Sequence, residues 1–226
     1  MVMYLTRFRI NPARRDARKL LTSPQAMHAA VLAGFPHPED HTRSDARTLW
    51  RLDQSTDRQI TLYIVSPGQP DLTHLVEQAG WPTIDTWLTR PYQPFLDTLQ
   101  NGQQWAFRLT ANPVRSGRRK DGDDTQRYGH LTADQQTRWL RERTERNGFI
   151  IADQPDGQPN LLLHQRQSLR FTRRRGERPV SLVTATYDGV LTIQDVDGFR
   201  AALTRGIGHA RAYGCGLLTL APTGRP

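Results

Sequence analysis

Cysteine and long apolar runs are scarce in this chain, and each scarcity excludes a class of protein. Cys215 is the one cysteine among 226 residues, which excludes an intrachain disulfide and a thiolate metal site. No apolar run approaches the ~20 residues of a membrane-spanning helix, and the sequence begins with a strand pattern instead of a secretory signal. We therefore expect no membrane partner and, by default, a cytoplasmic location.

Lysine is scarce as well, and arginine takes its place. Lys19 and Lys120 are the two lysines, so 29 of the 31 basic residues are arginines (31 − 2), and 22 acidic residues leave a net charge of +9. A guanidinium offers a planar fork that matches phosphate oxygens and stacks on bases, so we expect a polyanion as partner. A GC-rich genome would explain the arginine-to-lysine ratio, but it would not explain the net charge.

Two similar orders of elements follow one another along the sequence. In the first half, periodicity and turn residues predict strands at 3–10, 47–53, 59–66 and 92–96, and helices at 25–33 and 71–79. In the second half they predict strands at 105–111, 149–152, 161–171, 180–187 and 190–193, and helices at 132–147 and 196–203. A last strand starts at Leu217, and Asp188-Gly189 is predicted to be a hairpin turn. The order indicates an α+β fold of two tandem ferredoxin-like (RRM-like) βαββαβ domains, at residues 1–100 and 104–226.

A glycine-rich loop joins the last helix to the last strand. Gly206 and Gly208 end the helix, and Gly214 and Gly216 allow another backbone to come close where the strand begins. By itself the loop is explained by a tight helix–strand junction. It lacks the Lys-Ser/Thr ending of a nucleotide-binding P-loop, and it follows a helix instead of opening one.

The loop and its surroundings resemble the CasE family, the CRISPR repeat endoribonucleases of the type I-E Cascade complex. The resemblance rests on GIG at 206–208, RAYGCGLLTLAP at 211–222, MYLTR at 3–7, FRLTANP at 107–113 and a helix with Trp139-Leu140, in that family's order. It implies an endoribonuclease that needs no metal or cofactor and binds the stem-loop of CRISPR repeat RNA. It further implies cleavage by the ribose 2′-hydroxyl, and a chain that stays on the mature crRNA beside the other Cascade subunits.

The same resemblance assigns catalytic candidates. The helix PQAMH at 24–28 resembles the family helix with the catalytic histidine, although spacing alone would leave His28 structural or merely exposed. Arg47 aligns with a basic position of relatives and Arg211 takes the place of a family lysine, so both are candidates for stabilising the phosphate. Well-known relatives have a tyrosine at the position of Gln25, which can hydrogen-bond a phosphate oxygen but cannot act as acid or base.

Two arginine clusters are the candidate RNA-binding groups. One lies between two predicted strands and comprises Arg170, Arg173, Arg174, Arg175 and Arg178; the other comprises Arg115, Arg118 and Arg119. A thin basic hairpin could follow the deep, narrow major groove of A-form RNA. A solvated basic turn is the alternative explanation of the first cluster.

Three other functions compete with RNA cleavage. One is a non-catalytic module that binds an RNA hairpin, for which Gln25 is a hint. Another is a purely structural Cascade subunit at the crRNA 3′ end. A metal-dependent nuclease is disfavoured, because the sequence has no carboxylate cluster with ligand spacing and Pro38 makes a site from His37, Asp40 and His41 doubtful.

Overall fold

The computed structural model describes residues 2–37, 47–55, 59–82, 87–117, 126–172, 177 and 179–224. The chain forms two compact units. The first comprises Met1–Leu99, Thr204–Gly206 and Arg211–Leu217, and the second comprises Gln100–Leu203, Ile207–Ala210 and Leu218–Pro226. The sequence predicts domains at 1–100 and 104–226, with the glycine-rich loop in the second. In the structure Gly206, Gly214 and Gly216 group with the first unit instead, and the two predicted domains with these bounds stay a prediction.

The first unit is a four-stranded antiparallel sheet with helices between its strands. Its strands are β1 (Tyr4–Ile10), β2 (Leu49–Gln54), β3 (Ile60–Ser66) and β4 (Trp87–Pro91). Its helices are α1 (Arg15–Thr22), α2 (Pro24–Leu32), α3 (Thr73–Ala79) and α4 (Gln93–Asp97), and Arg211–Tyr213 forms a 3-10 helix. The strand order β2-β3-β1-β4 is that of a ferredoxin-like fold.

Alternation along β1 decides which side of this sheet becomes the core. Thr6, Phe8 and Ile10 are buried, whereas Arg7 and Arg9 between them are exposed. The buried side chains of β1 and β3 form one hydrophobic cluster with those of α1, α2 and α3. The helices therefore cover one face of the sheet, and the arginines of β1 lie on the other face.

The fourth strand precedes the segment predicted for it. Residues 92–96 were expected to be extended, but Gln93–Asp97 is helical and the strand is Trp87–Pro91. Tyr92, Leu96 and Leu99 are all buried, which is helical spacing, and the Tyr92 ring stacks on Phe95 with centroids 5.6 Å apart. The prediction was wrong because a short apolar run fits either period.

The second unit repeats the architecture with a longer hairpin. Its strands are β5 (Gln104–Ala111), β6 (Val114–Gly117), β7 (Gln126–Gly129), β8 (Phe149–Ile151), β9 (Leu161–Phe171), β10 (Val180–Ile193) and β11 (Leu218–Ala221). Its helices are α5 (Ala133–Thr144), continued by a 3-10 turn at Glu145–Asn147, and α6 (Val196–Arg205). The order β11-β5-β10-β8, with β9 also on β10 and β6–β7 as a separate hairpin, confirms the tandem ferredoxin-like prediction.

Strand β10 runs through the dipeptide that was predicted to be a turn. Asp188 pairs with Arg108 of β5, and Gly189 lies between Phe107 and Leu161 in continuous register, so no turn forms there. The helix prediction for α5 is confirmed. The Thr132 side chain accepts a hydrogen bond from Gln135 N, and the Gln135 side chain accepts one from Thr132 N, which completes a capping box.

Candidate catalytic site and nucleic-acid interface

His28 lies on a short helix whose start is fixed by its sequence. The Ser23 hydroxyl accepts a hydrogen bond from Ala26 N, and Pro24 occupies the first turn, where a missing N–H costs nothing. Met27 and Val31 are fully buried and anchor α2 to the core. His28 follows Met27, so its imidazole emerges at the edge of the core and is partly buried.

Two arginines share the surroundings of His28. Arg47 comes just before β2, and Arg211 begins the 3-10 helix, which contacts both α2 and β2. Burial lowers the pKa of His28 below its ordinary value of 6.5, and the charge of Arg47 lowers it further. Burial and Arg47 likewise lower the pKa of Arg211. The structure thus places three of the four predicted catalytic-site residues close enough that the charge of Arg47 acts on the other two.

Two buried nitrogens at this site are left without hydrogen bonds. His28 Nδ1 and Arg211 Nε are both buried, and neither has a hydrogen-bond partner among the described residues. Buried polar atoms are normally satisfied, so an unsatisfied pair at one site points to a polar ligand. Gln25, the fourth predicted residue, is partly buried one helical turn before His28 on the same side of α2.

The glycine-rich loop holds Arg211 in place through close contacts with β2. Gly214 has φ +78°, and a β-carbon there would lie 2.8 Å from the Trp50 ring. Gly206, with φ +77°, approaches Leu49 in the same way. Only glycine combines this backbone conformation with such proximity. The loop therefore packs directly on β2, the strand that begins just after Arg47.

A buried arginine that the sequence did not single out ties the same loop to β2. Arg51 is 1% exposed, and its Nη1 donates a hydrogen bond of 2.8 Å to the carbonyl of Leu217. Its Nε and Nη2 bind the Asp53 carboxylate at 2.6 and 2.8 Å. The bond to Leu217 spans 166 residues of sequence, and no local pattern reveals it.

The predicted RNA-binding arginines are only partly within the described residues. Arg170 is exposed near the end of β9, and Arg115 is exposed on β6. The others lie outside the described residues: Arg118, Arg119, Arg173, Arg174, Arg175 and Arg178. Arg115 also lines a cavity of about 260 Å³, together with His130, Gln135, Arg138, Trp139 and Glu142. Of the two predicted clusters, the structure therefore describes one member each, Arg170 and Arg115.

The long β9–β10 hairpin is fastened to α5 by a second unpredicted arginine. Arg166 donates through Nε to the Gln136 side chain at 2.8 Å and through Nη2 to the carbonyl of Leu131 at 2.6 Å. The Tyr187 hydroxyl donates to the carbonyl of Gln136 at 2.9 Å. The strands that lead to the predicted basic segment are therefore held against a helix.

Other catalytic groups find little support in the described part of the chain. Burial raises the pKa of the Cys215 thiol to about 12, so it is not a nucleophile near neutral pH. Over the described ranges, no three His, Cys, Asp or Glu side chains are grouped so that they could hold a metal ion; Asp40 and His41 lie outside these ranges. None of the described helices has the length and apolar composition of a membrane span.

Comparisons with known proteins agree in assigning a family. The sequence model of the family described as CRISPR associated protein matches residues 3–222. The chain is 30% identical to the CRISPR-associated endoribonuclease Cse3 of Thermus thermophilus, over 97% of this chain and 100% of that protein. Two solved structures are each 29% identical and cover 98% of this chain and 100% of theirs. They are Cse3 bound to a 19-nucleotide RNA (TM-score 0.79) and T. thermophilus Cse3 with an RNA that represents a pre-cleavage complex (TM-score 0.76).

Proposed function

Because the chain belongs to the CasE family of CRISPR-associated proteins, we propose that it is an endoribonuclease that cleaves CRISPR repeat RNA at its stem-loop. The observation that carries this proposal is the grouping of His28, Arg47 and Arg211, in which His28 Nδ1 and Arg211 Nε have no hydrogen-bond partner among the described residues. A scissile phosphate would accept hydrogen bonds from the guanidiniums, and the imidazole would meet the adjacent ribose. The RNA-bound relatives support the same substrate class.

The reaction starts at the ribose 2′-hydroxyl on the 5′ side of the scissile phosphate. Neutral His28 accepts the hydroxyl proton while the 2′-oxygen forms a bond to phosphorus. The bond from phosphorus to the 5′-oxygen then breaks, which leaves a 2′,3′-cyclic phosphate and a 5′-hydroxyl. Since the pKa of His28 is lowered, its imidazole is already neutral near pH 7 and is ready to act as the base.

The arginines act on the charge that develops at phosphorus. The pentavalent phosphorane carries more negative charge on its oxygens than the ground-state diester does. Arg47 and Arg211 supply fixed positive charge there, in a partly buried setting where electrostatic interactions are stronger than in water. Gln25 adds a neutral hydrogen-bond donor for a phosphate oxygen. The leaving 5′-oxygen takes its proton from solvent or from protonated His28, since Gln25 has no proton to transfer.

Substrate binding falls to the arginines of the second unit. Arg170 leads into the arginine-rich segment that joins the paired strands β9 and β10, and Arg115 belongs to the second cluster. This segment binds in the major groove of the RNA stem and recognises the shape of the groove. The chain then stays on the mature crRNA, beside the other subunits of Cascade, in the cytoplasm.

Single-turnover cleavage of a labelled repeat hairpin in EDTA tests the proposal. A single cut is expected, and a 2′-deoxy substitution on the 5′ side of the scissile phosphate is expected to abolish it. A cut that persists with the 2′-deoxy substrate, or that needs a divalent ion, would overturn the mechanism. No binding to the hairpin would overturn the substrate class.

Gln25 keeps a second candidate function open, a module that binds the RNA hairpin without cleaving it. Glutamine at this position removes the side chain with which relatives could assist proton transfer, and losing one such partner costs roughly 10²–10⁴ in rate. Tight binding without cleavage would favour this function. In that case Gln25→Tyr is expected to restore cleavage, because the tyrosine hydroxyl would again lie one helical turn from His28.

A further inference from the structure

The face of the first sheet opposite its helices carries a set of side chains that the proposed function does not use. The strand registers align Arg51, Tyr63, Arg7 and Leu88 in one row across all four strands. The neighbouring rows add Arg9 opposite Thr61, and Arg90 opposite Leu5. We call the set Arg7, Arg9, Tyr63, Leu88 and Arg90 the open face.

Three cations of the open face have no neutralising carboxylate in the part of the chain that the structure describes. Arg7, Arg9 and Arg90 are all exposed, and none forms an ion pair with any residue that the structure describes. Asp53, the acidic residue nearest in register, is already bound by Arg51. Like charges on adjacent positions of one sheet face repel each other, so this arrangement is costly for folding unless an anion binds there.

An aromatic ring lies among these cations. Tyr63 is partly exposed in the middle of β3, directly opposite Arg7 on one neighbouring strand and Arg51 on the other. The Arg51 guanidinium lies over the ring, 5.8 Å from its centroid, in a cation–π contact. Leu88, 41% exposed, adds apolar surface at the end of the same row.

We propose that the open face binds single-stranded RNA, with a base stacked on Tyr63 and backbone phosphates on Arg7, Arg9 and Arg90. Aromatic side chains on a sheet with arginines beside them are the usual means of holding unstacked nucleotides, because every base offers a π face. The inference rests on the proposed function, since the strand is the unpaired flank of the same repeat RNA. It adds a second contact on the sheet, separate from the site at His28.

Binding of a fluorescent ten-nucleotide oligouridine tests the open face without any hairpin. Tyr63→Ala is expected to weaken binding by about 5- to 100-fold, the range for removing one stacked base. Tyr63→Phe keeps the ring and is expected to bind within twofold of the wild type. The inference is wrong if Tyr63→Ala binds oligouridine with unaltered affinity. It is also wrong if the wild-type chain does not bind oligouridine, a result that would favour an acidic protein as the partner of the open face.

The salt dependence of the same binding tests the phosphates. Each lost phosphate contact is expected to reduce the slope of log affinity against log salt by about 0.7. Arg9→Gln should show this reduction, whereas Arg200→Gln should not, because Arg200 lies on α6 beside Asp197. Equal slopes for Arg9→Gln and the wild type would contradict the phosphate contacts.

A repeat hairpin with and without its single-stranded flank separates this inference from the proposed function. The flank is expected to tighten binding to the wild type, and Tyr63→Ala should lose that gain while it binds the bare hairpin normally. Normal binding of the bare hairpin also shows that Tyr63→Ala is folded. If the flank adds nothing, the inference fails and the proposed function stands. If the bare hairpin does not bind but oligouridine does, the proposed function fails, and only the binding of single-stranded RNA by the open face stands.

Discussion

The two units have the same strand order, but the arginines on the sheet face opposite the helices differ in their ion pairing. In the first unit Arg7, Arg9 and Arg90 face outward with no ion pair among the described residues. In the second unit Arg108, on the central strand equivalent to β1, is bound by Asp188 at 2.7 and 2.6 Å. His164 Nε2 lies 3.1 Å from the same carboxylate, and the hydroxyls of Thr110 and Thr186 bond to each other at 2.8 Å.

The placement of one carboxylate accounts for the difference. Burial by itself would raise the pKa of Asp188, but the hydrogen bonds and charge of Arg108 hold that pKa below its ordinary value. Asp188 therefore stays charged at neutral pH and neutralises Arg108. The arginine on the central strand of the second unit is thus neutralised by a carboxylate, whereas Arg7 and Arg9 on the central strand of the first unit are available to phosphate.

Exchanging one partly buried histidine of each unit for alanine should give the largest contrast. His28→Ala is expected to slow single-turnover cleavage by about 10²–10⁴, because it removes the base that accepts the 2′-hydroxyl proton. His164→Ala, in the second unit, is the matched control and should cleave at the wild-type rate. Hairpin affinity should stay unchanged in both variants. Wild-type cleavage by His28→Ala would remove His28 from the mechanism.

The pH dependence of cleavage should report the lowered pKa of His28. The base works only when it is neutral, so the rate at subsaturating enzyme should fall about tenfold per pH unit once the pH drops below this pKa. Since burial and Arg47 both lower the pKa, the midpoint should lie below 6.5. The rate should therefore approach its plateau above pH 7. A midpoint above 6.5 would contradict a neutral, desolvated base.

Two glycines with similar positive φ angles allow two costs of a Gly→Ala substitution to be measured separately. One is the cost of placing alanine at positive φ, and the other is the cost of a steric clash with a neighbouring side chain. Gly214 has φ +78° with the Trp50 ring beside it, and Gly102 has φ +84° with nothing within 4 Å. Gly102→Ala should lower the free energy of unfolding by about 1 kcal/mol, the cost of positive φ alone. Gly214→Ala should cost about 2–4 kcal/mol, since overpacking adds to it, and should slow cleavage by displacing Arg211. Equal costs in thermal or urea unfolding would mean that Trp50 moves away freely.

Local patterns predicted the elements wherever one period dominated. The alternation of β1, the Ser23-Pro24 start of α2 and the Thr132 cap of α5 are all local signals, and the structure has each of them. The error at residues 92–96 arose because a short apolar run fits either period, and the error at Asp188-Gly189 arose because a local signal competed with tertiary pairing. Asp188-Gly189 has turn-forming residues, but strands β5 and β9 pair with it on both sides.

The residues of the candidate site could be predicted from the family resemblance, but the contacts that hold the surrounding structure in place could not. His28, Arg47 and Arg211 were named from aligned motifs, whereas composition and periodicity left His28 undecided. The bond from Arg51 to Leu217 and the row through Arg7 and Tyr63 depend on strand register, which one sequence does not specify. Alternation could have placed Arg7 and Arg9 on the outer face of β1, but not Tyr63 beside them.

Neutralising Asp188 should make the second sheet resemble the first. Asp188→Asn keeps the side-chain shape but removes the negative charge that neutralises Arg108, so the guanidinium attracts a phosphate more strongly. The slope of log oligouridine affinity against log salt should steepen by about 0.7, one phosphate contact. Asp197→Asn is the matched control, because it removes the same charge from an 88% exposed site on α6 and should leave the slope unchanged. If both variants steepen the slope equally, net charge decides oligouridine binding, and the carboxylate beside Arg108 does not distinguish the two faces.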